Sequence, residues 1–149
     1  MIEIRAAVPT DIPDLIELWH ERALLQRLRL DPDAHQVWSA EVRYWLDDSE
    51  TAIYVAISDS QLIGYIIGQV QTSSHGLVPD RIGVVSELAL DLHQYQVGVG
   101  TLLVDVIRQW FRSCKIERIY VSVSQRSPVE QAFWRALGAV KWMENLWIM

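Results

Sequence analysis

The stretch IGVVSELALDLHQYQVGVGTLLVDVIRQWF, Ile82 to Phe111, decides how this chain is read. Its opening run, Ile82 to Leu90, is apolar except for Ser86 and Glu87 and predicts a buried strand. A polar loop and Gly98-Val99-Gly100 follow. From near Val99 the residues Leu102, Leu103, Val106, Ile107, Trp110 and Phe111 recur at three- and four-residue steps, which predicts an amphipathic helix. A strand that passes through glycines into a helix start makes an anion site. The first helical N–H groups lack internal partners, and the macrodipole adds partial positive charge there. Gly98 and Gly100 let backbone approach a ligand without a Cβ in the way. The same glycines also suit a plain tight turn between a strand and its covering helix.

Working outward, residues 2–7 alternate and predict a first strand, ended by Val8-Pro9-Thr10-Asp11 with Thr10 as N-cap and Pro13 in the first helical turn. Leu15, Ile16, Trp19 and Ala23 make one face of a helix from Ile12 to about Leu30, which Asp31-Pro32-Asp33 stops. A second helix is expected over Gln36–Leu46. Thr51–Ile57 and Leu62–Thr72 read as a hairpin across Ser58-Asp59-Ser60. Ile116–Val123 predicts a fifth strand. Ser127-Pro128-Val129-Glu130 writes out a helix start, with Ser127 as N-cap and Glu130 completing a capping box, and Gly138 closes that helix. Ala139–Met149 is expected to supply one or two closing strands. The order β-α-α-β-β-β-α-β-α-β is α/β with a mixed sheet, in a single domain over 1–149. Its crossover from the organising strand through its helix to the next strand is expected to be right-handed.

The chain has 149 residues, 13 Lys plus Arg against 19 Asp plus Glu, and a net charge of −6. That balance argues against nucleic acid, whose phosphates call for clustered Lys and Arg, and weakly favours a cationic or amine substrate. Cys114 is the only cysteine, so no intrachain disulfide can form, and a reducing cytoplasm is the expected compartment. Glu3 and Arg5 in the first strand argue against a signal peptide, and no apolar run approaches membrane-spanning length. His20, His35, His75 and His93 show no metal-ligand spacing, so no metal is expected and all four read as surface or loop residues.

Glu87-Leu88-Ala89-Leu90-Asp91, a short polar loop, Gly98-Val99-Gly100 and Leu102-Leu103 together resemble motif A of the GNAT superfamily, the acetyl-CoA-dependent N-acetyltransferases. Phe133-Trp134-Arg135-Ala136-Leu137-Gly138 is similar to that family's closing Phe-Tyr-x-x-x-Gly, and the element order agrees along nearly the whole chain. The resemblance implies a V-shaped slot where the fourth strand splays from the fifth. The pantetheine arm of acetyl-CoA would lie along Leu88, Ala89 and Leu90, with the pyrophosphate on the N–H groups of Gln96, Val97, Gly98, Val99, Gly100 and Thr101. Ser127 stands where the family often has a cofactor-contacting Asn, and it is equally well explained as a cap.

Glu87 is the candidate general base, because attack on a thioester requires a neutral amine; plain strand alternation would instead turn it to solvent or to an Arg. The departing thiolate would take its proton from water, Tyr120 or Tyr95, since Trp134 occupies the position where the family often has a Tyr and an indole is no acid. Tyr95, Gln96 and Val97 also depart from the family's loop pattern. Two functions follow: an N-acetyltransferase acting on an amine-bearing small molecule or peptide in a ternary complex, or a GNAT-fold module without turnover that binds acyl-CoA or a protein. Of the seven tryptophans, Trp19, Trp45 and Trp110 read as core, while Trp38, Trp142 and Trp147 suit a core, an acceptor pocket or a homodimer surface.

Overall fold

The computed structural model describes residues 1–72, 80–92 and 98–149. In chain order it contains β1 (Ile2–Ala6), α1 (Ile12–Leu25), α2 (Ala34–Asp47), β2 (Thr51–Ser58), β3 (Gln61–Thr72), β4 (Arg81–Leu90), α3 (Val99–Ser113), β5 (Ile119–Val121) and α4 (Pro128–Ala136). One sheet runs β1-β2-β3-β4-β5, antiparallel throughout except for the parallel β4–β5 pair, which α3 connects. β2 and β3 are joined by Asp59 and Ser60, both at positive φ (49° and 64°). That is the two-residue turn whose twist matches a hairpin.

Two apolar clusters lie against the sheet. α1 and α2 deliver Ile12, Leu15, Leu18, Trp38 and Val42 onto Ile53, Val55, Tyr65, Ile67 and Ala89. α3 delivers Val99, Leu103, Val104, Ile107 and Phe111 onto Ala56, Ile63, Ile66 and Val85. α3 sits close to the sheet because glycines lie under its largest side chains. A Cβ on Gly68 would come within 2.7 Å of Ile107, and one on Gly83 within 2.7 Å of Phe111. Phe111 is wholly buried, which contributes about 2–3 kcal/mol of hydrophobic stabilisation. The apolar stripe of α3 is shifted from the one the sequence suggests, with Val104 inside and Leu102 41 % exposed.

Five sequence expectations change. α1 stops at Leu25, not near Leu30: Arg27 takes φ +55° and the Leu28 N–H closes on the Ala23 carbonyl at 3.0 Å, so backbone geometry ends the helix before Pro32. Thr10 is not the cap. A 3-10 turn over Pro9–Asp11 precedes the helix, and the Asp11 carboxylate turns back to Arg5 (2.8 and 2.9 Å) and the Val8 N–H (2.8 Å). Ser127 does cap α4, its Oγ accepting the Glu130 N–H at 3.4 Å. The Glu130 side chain, however, reaches Arg22 of α1 and Gln26 just beyond it instead of completing a box. Finally, β5 shrinks to Ile119–Val121, and 139–149 forms no strand.

Candidate active site

β4 pairs with β3 along its whole length but with β5 only at Gly83–Ile119, Val84–Tyr120 and Val85–Val121. Beyond Val85 its outer edge has no strand partner among the described residues, so the slot lies between Ser86–Leu90 and the continuation of β5. A bulge sits at the mouth of this slot: Val85 faces Gly68 and Glu87 faces Ile67, leaving Ser86 as the extra residue. In a regular strand Val85 and Glu87 would point the same way. The extra residue reverses this. Val85 packs beneath α3, whereas Glu87 turns to the α1–α2 face.

There the Glu87 carboxylate accepts two hydrogen bonds, from the indole Nε1–H of Trp38 (3.1 Å) and from the hydroxyl of Tyr65 (2.9 Å). Burial pushes its carboxyl above the ordinary range; Trp38, Tyr65 and, at longer range, Arg22 pull it back down, and Glu41 adds a small push upward. Burial and the neighbouring carboxylate raise the Tyr65 phenol well above its usual value, so it stays a donor. The result is a fixed, poorly hydrated carboxylate with more affinity for a proton than an exposed one.

Trp38 links this group to a cavity of about 220 Å³, lined by Trp19, Ala34, Val37 and Trp38 and by Asp31, Asp33 and Glu41. The two indoles stack at 5.2 Å and 17°, and the His35 ring meets Trp19 edge-on at 5.7 Å. His35 also stacks on His20 at 4.7 Å; His35 is exposed, as expected of a surface residue, while His20 is half-buried. Aromatic faces beside three carboxylates suit an organic cation.

On the other side of the slot, Gly98 holds φ +97° as N-cap of α3, a conformation a side chain would strain. The first helical bond runs from the Leu102 N–H to the Gly98 carbonyl (3.0 Å), so the N–H groups of Val99, Gly100 and Thr101 have no acceptor within the helix. No Cβ fits comfortably on Gly100, because it would meet the Phe133 ring of α4 at 3.0 Å. Gly100 therefore brings α4 against the start of α3, while Gly98 shapes the loop. An anionic group fits this helix start: donors are available, no described atom lies within 4 Å of a Cβ built on Gly98, and the adjoining edge of β4 at Leu88, Ala89 and Leu90 has no strand partner among the described residues.

Gln96 and Val97, with Tyr95 and His93, lie outside the described residues. Ser127 acts as the α4 cap. The Tyr120 hydroxyl reaches Gln71 (3.4 Å) near the end of β3 remote from Tyr65, so the structure does not bring it to Glu87. Tyr65 is the tyrosine at the carboxylate. Its signal in the sequence was a lone phenol inside an aliphatic strand, which needs a buried acceptor. Among the described residues, no group of three or more His, Cys, Asp or Glu is placed to hold a metal.

The fold is that of an acetyltransferase family, as comparison with known proteins shows. The family model for the acetyltransferase (GNAT) family matches residues 12–139, and the chain belongs to that family. Among solved structures it is similar to the aminoglycoside 6'-N-acetyltransferase AAC(6')-Ih from Acinetobacter baumannii, with 16% identity, 100% of this chain and 97% of that chain covered, and a TM-score of 0.81. It is similar to the aminoglycoside N-acetyltransferase AAC(6')-Iy in complex with CoA, with 18% identity, 100% and 94% coverage and a TM-score of 0.82. A predicted acetyltransferase with acetyl-CoA from Clostridium acetobutylicum gives 14% identity, 100% and 96% coverage and a TM-score of 0.84. At these identities the likeness is one of fold. No curated protein matches the chain significantly.

Proposed function

We propose that this acetyltransferase-family domain, one unit over 1–149, moves an acetyl group from acetyl-CoA to a primary amine of a cationic small molecule, with Glu87 as general base. The observation that carries the reading is the Glu87 carboxylate, turned by the Ser86 bulge out of the α3 face and held by Trp38 and Tyr65 beside both the slot and the acidic cavity.

The donor side fits the family's acyl-CoA. The N–H groups of Gly98, Val99, Gly100 and Thr101, with Gln96 and Val97 before them, would hold the pyrophosphate, and the Leu88–Leu90 edge and Ser127 would flank the pantetheine arm. Acetyl-CoA bound there supplies an activated thioester. The chain's own residues do the remainder. Asp31, Asp33 and Glu41 attract a protonated amine, and the Trp19 and Trp38 rings seat its organic frame. Glu87, with its raised proton affinity, takes a proton from the ammonium, directly or through one water, and so delivers the neutral nucleophile. Tyr65 and Trp38 fix the accepting lone pairs. Water is the simplest proton source for the departing thiolate, since the Tyr120 hydroxyl is engaged elsewhere.

Two of the similar structures described above act, by their names, on aminoglycosides, which are polycationic amines and fit the sign of this cavity. The test is a panel of mono-, di- and polyamines, aminoglycosides included, assayed with acetyl-CoA by thiol release. Turnover of cationic amines supports the reading. Acyl-CoA binding with no turnover on any amine would favour the non-catalytic module, which Trp134 and the engaged Tyr120 recommend as the second reading.

A further inference from the structure

Arg22 is a charged residue placed in the apolar stripe of α1. Ile12, Leu15 and Leu18 are buried against the sheet, and Arg22 continues their line one turn after Leu18. Its side chain is therefore drawn inward and is only 25 % exposed. The Nε–H is buried without a hydrogen-bond acceptor, an arrangement that folded proteins keep mainly where the group has a use. Two carboxylates share this cation. Burial raises the Glu87 carboxyl, and the Arg22 charge works against it at longer range; it works in the same sense on the Tyr65 phenol that donates to Glu87. Glu130, in the first turn of α4, lies 4.0 Å from the Arg22 Nε and also accepts from Gln26 at 3.5 Å.

This bridge has a definite place in the slot. α1 packs on Ala89 of β4, whereas α4 follows β5 and rests on the start of α3, where the Phe133 ring lies over Gly100. Arg22 and Glu130 therefore join the two walls that β4 and β5 leave apart. We propose that Arg22, bridged to Glu130, is a positioning residue of the acyl-transfer site, through which α4 sets the charge facing the Glu87 carboxylate. Its catalytic consequence rests on the reading of Glu87 as base; the electrostatic link does not. Glu87 is faced by Trp38 and Glu41 from α2, by Tyr65 from β3 and by Arg22 from α1. Glu130 offsets part of the Arg22 charge. Removing Arg22 takes away an attraction for the ionised Glu87 and strengthens its hold on a proton. Removing the Glu130 charge leaves that attraction undivided and weakens the hold.

Carbon-13 NMR of the Glu87 side-chain carboxyl, titrated in the full chain without cosubstrate, tests this beside kcat/KM for thiol release across the acid limb. Arg22→Gln should move the carboxyl titration to higher pH, and Arg22→Lys should return it toward the parent. Glu130→Gln should move it to lower pH, and should lose most of this effect in an Arg22→Gln background, a coupling that two independent contacts do not produce. Glu130→Gln, at a partly exposed position on α4, keeps the test available if Arg22→Gln does not fold. The acid limb of kcat/KM should move with each carboxyl titration. A Glu87 titration that ignores either residue overturns the inference, and so do shifts that simply add in the double variant. Titrations that move as stated beside an unmoved acid limb uphold the link and refute instead the assignment of Glu87 as base.

Discussion

Replacing Glu87 with Gln separates its chemical role from its structural one. The carboxylate accepts from the Trp38 indole at 3.1 Å and from the Tyr65 hydroxyl at 2.9 Å. A Gln of the same shape can present its carbonyl to the indole and its amide N–H to the phenol oxygen, so neither partner is orphaned. Only the basicity is lost. General-base removal costs about 10²–10⁴ in rate, or about 3–5 kcal/mol of transition-state stabilisation. The stability effect runs the other way. Burial, the largest influence, raises the folded-state pKa of Glu87 above its unfolded value. Its contribution to stability is therefore fully present below the unfolded value and is lost as pH rises through the folded one. Glu87→Gln should match or exceed the parent in Tm, and the difference should grow from acid toward neutral pH. Thiol release measured from pH 5 to 9 should show an acid limb in kcat/KM for the parent, above the ordinary carboxylate range, and none for the variant. Unchanged kcat/KM in a folded variant would refute the base assignment, and so would a lost rate accompanied by lost acetyl-CoA binding.

Other substitutions test the supports of the site. Tyr65→Phe removes a donor that lowers the Glu87 pKa, so the acid limb should move to higher pH while the fold is kept. Asp11→Asn breaks the paired bonds to Arg5; with Asp11 7 % exposed but the Arg5 side chain 35 % exposed and screened, urea denaturation should show a loss of about 1–2 kcal/mol. The hydrogen bonds from Arg5, the largest influence, hold Asp11 below its usual value against burial, so this stabilisation is present above the unfolded carboxylate pKa and fades as pH falls through the depressed one. Gly83→Ala drives a Cβ to within 2.7 Å of the buried Phe111 ring and should cost about 2 kcal/mol in the same experiment. Ser127→Ala loses a long 3.4 Å cap and should cost about 0.5 kcal/mol, the low end for a cap.

How much of this was legible in the sequence depends on the range of the interaction. Local chemistry read well. The Gly98 turn into α3, the Ser127-Pro128 start of α4 and the turn between β2 and β3 are all written in neighbouring residues. Alternation could not reveal where Glu87 points, because the Ser86 bulge reverses the face and only pairing with β3 creates it. Its partners lie 49 and 22 residues away in the chain, beyond any periodic signal. Glu130 looked like half of a capping box, but Gln26 and Arg22 compete for it across the fold. α1 ended early for a similar reason: the turn at Arg27 satisfies the last carbonyls before Pro32 can act. Strand propensity in 139–149 is real, yet a strand needs a neighbour, and the chain by itself leaves the segment unpaired.

The proposed chemistry requires the slot between β4 and β5 and the start of α3 to hold an acyl-CoA. Calorimetric titration with acetyl-CoA, with desulfo-CoA as control, tests this most directly. Saturable binding of both in the micromolar range, retained in Glu87→Gln, is the predicted result. Absence of binding at millimolar acetyl-CoA would contradict it, and with it the acetyltransferase reading of the site.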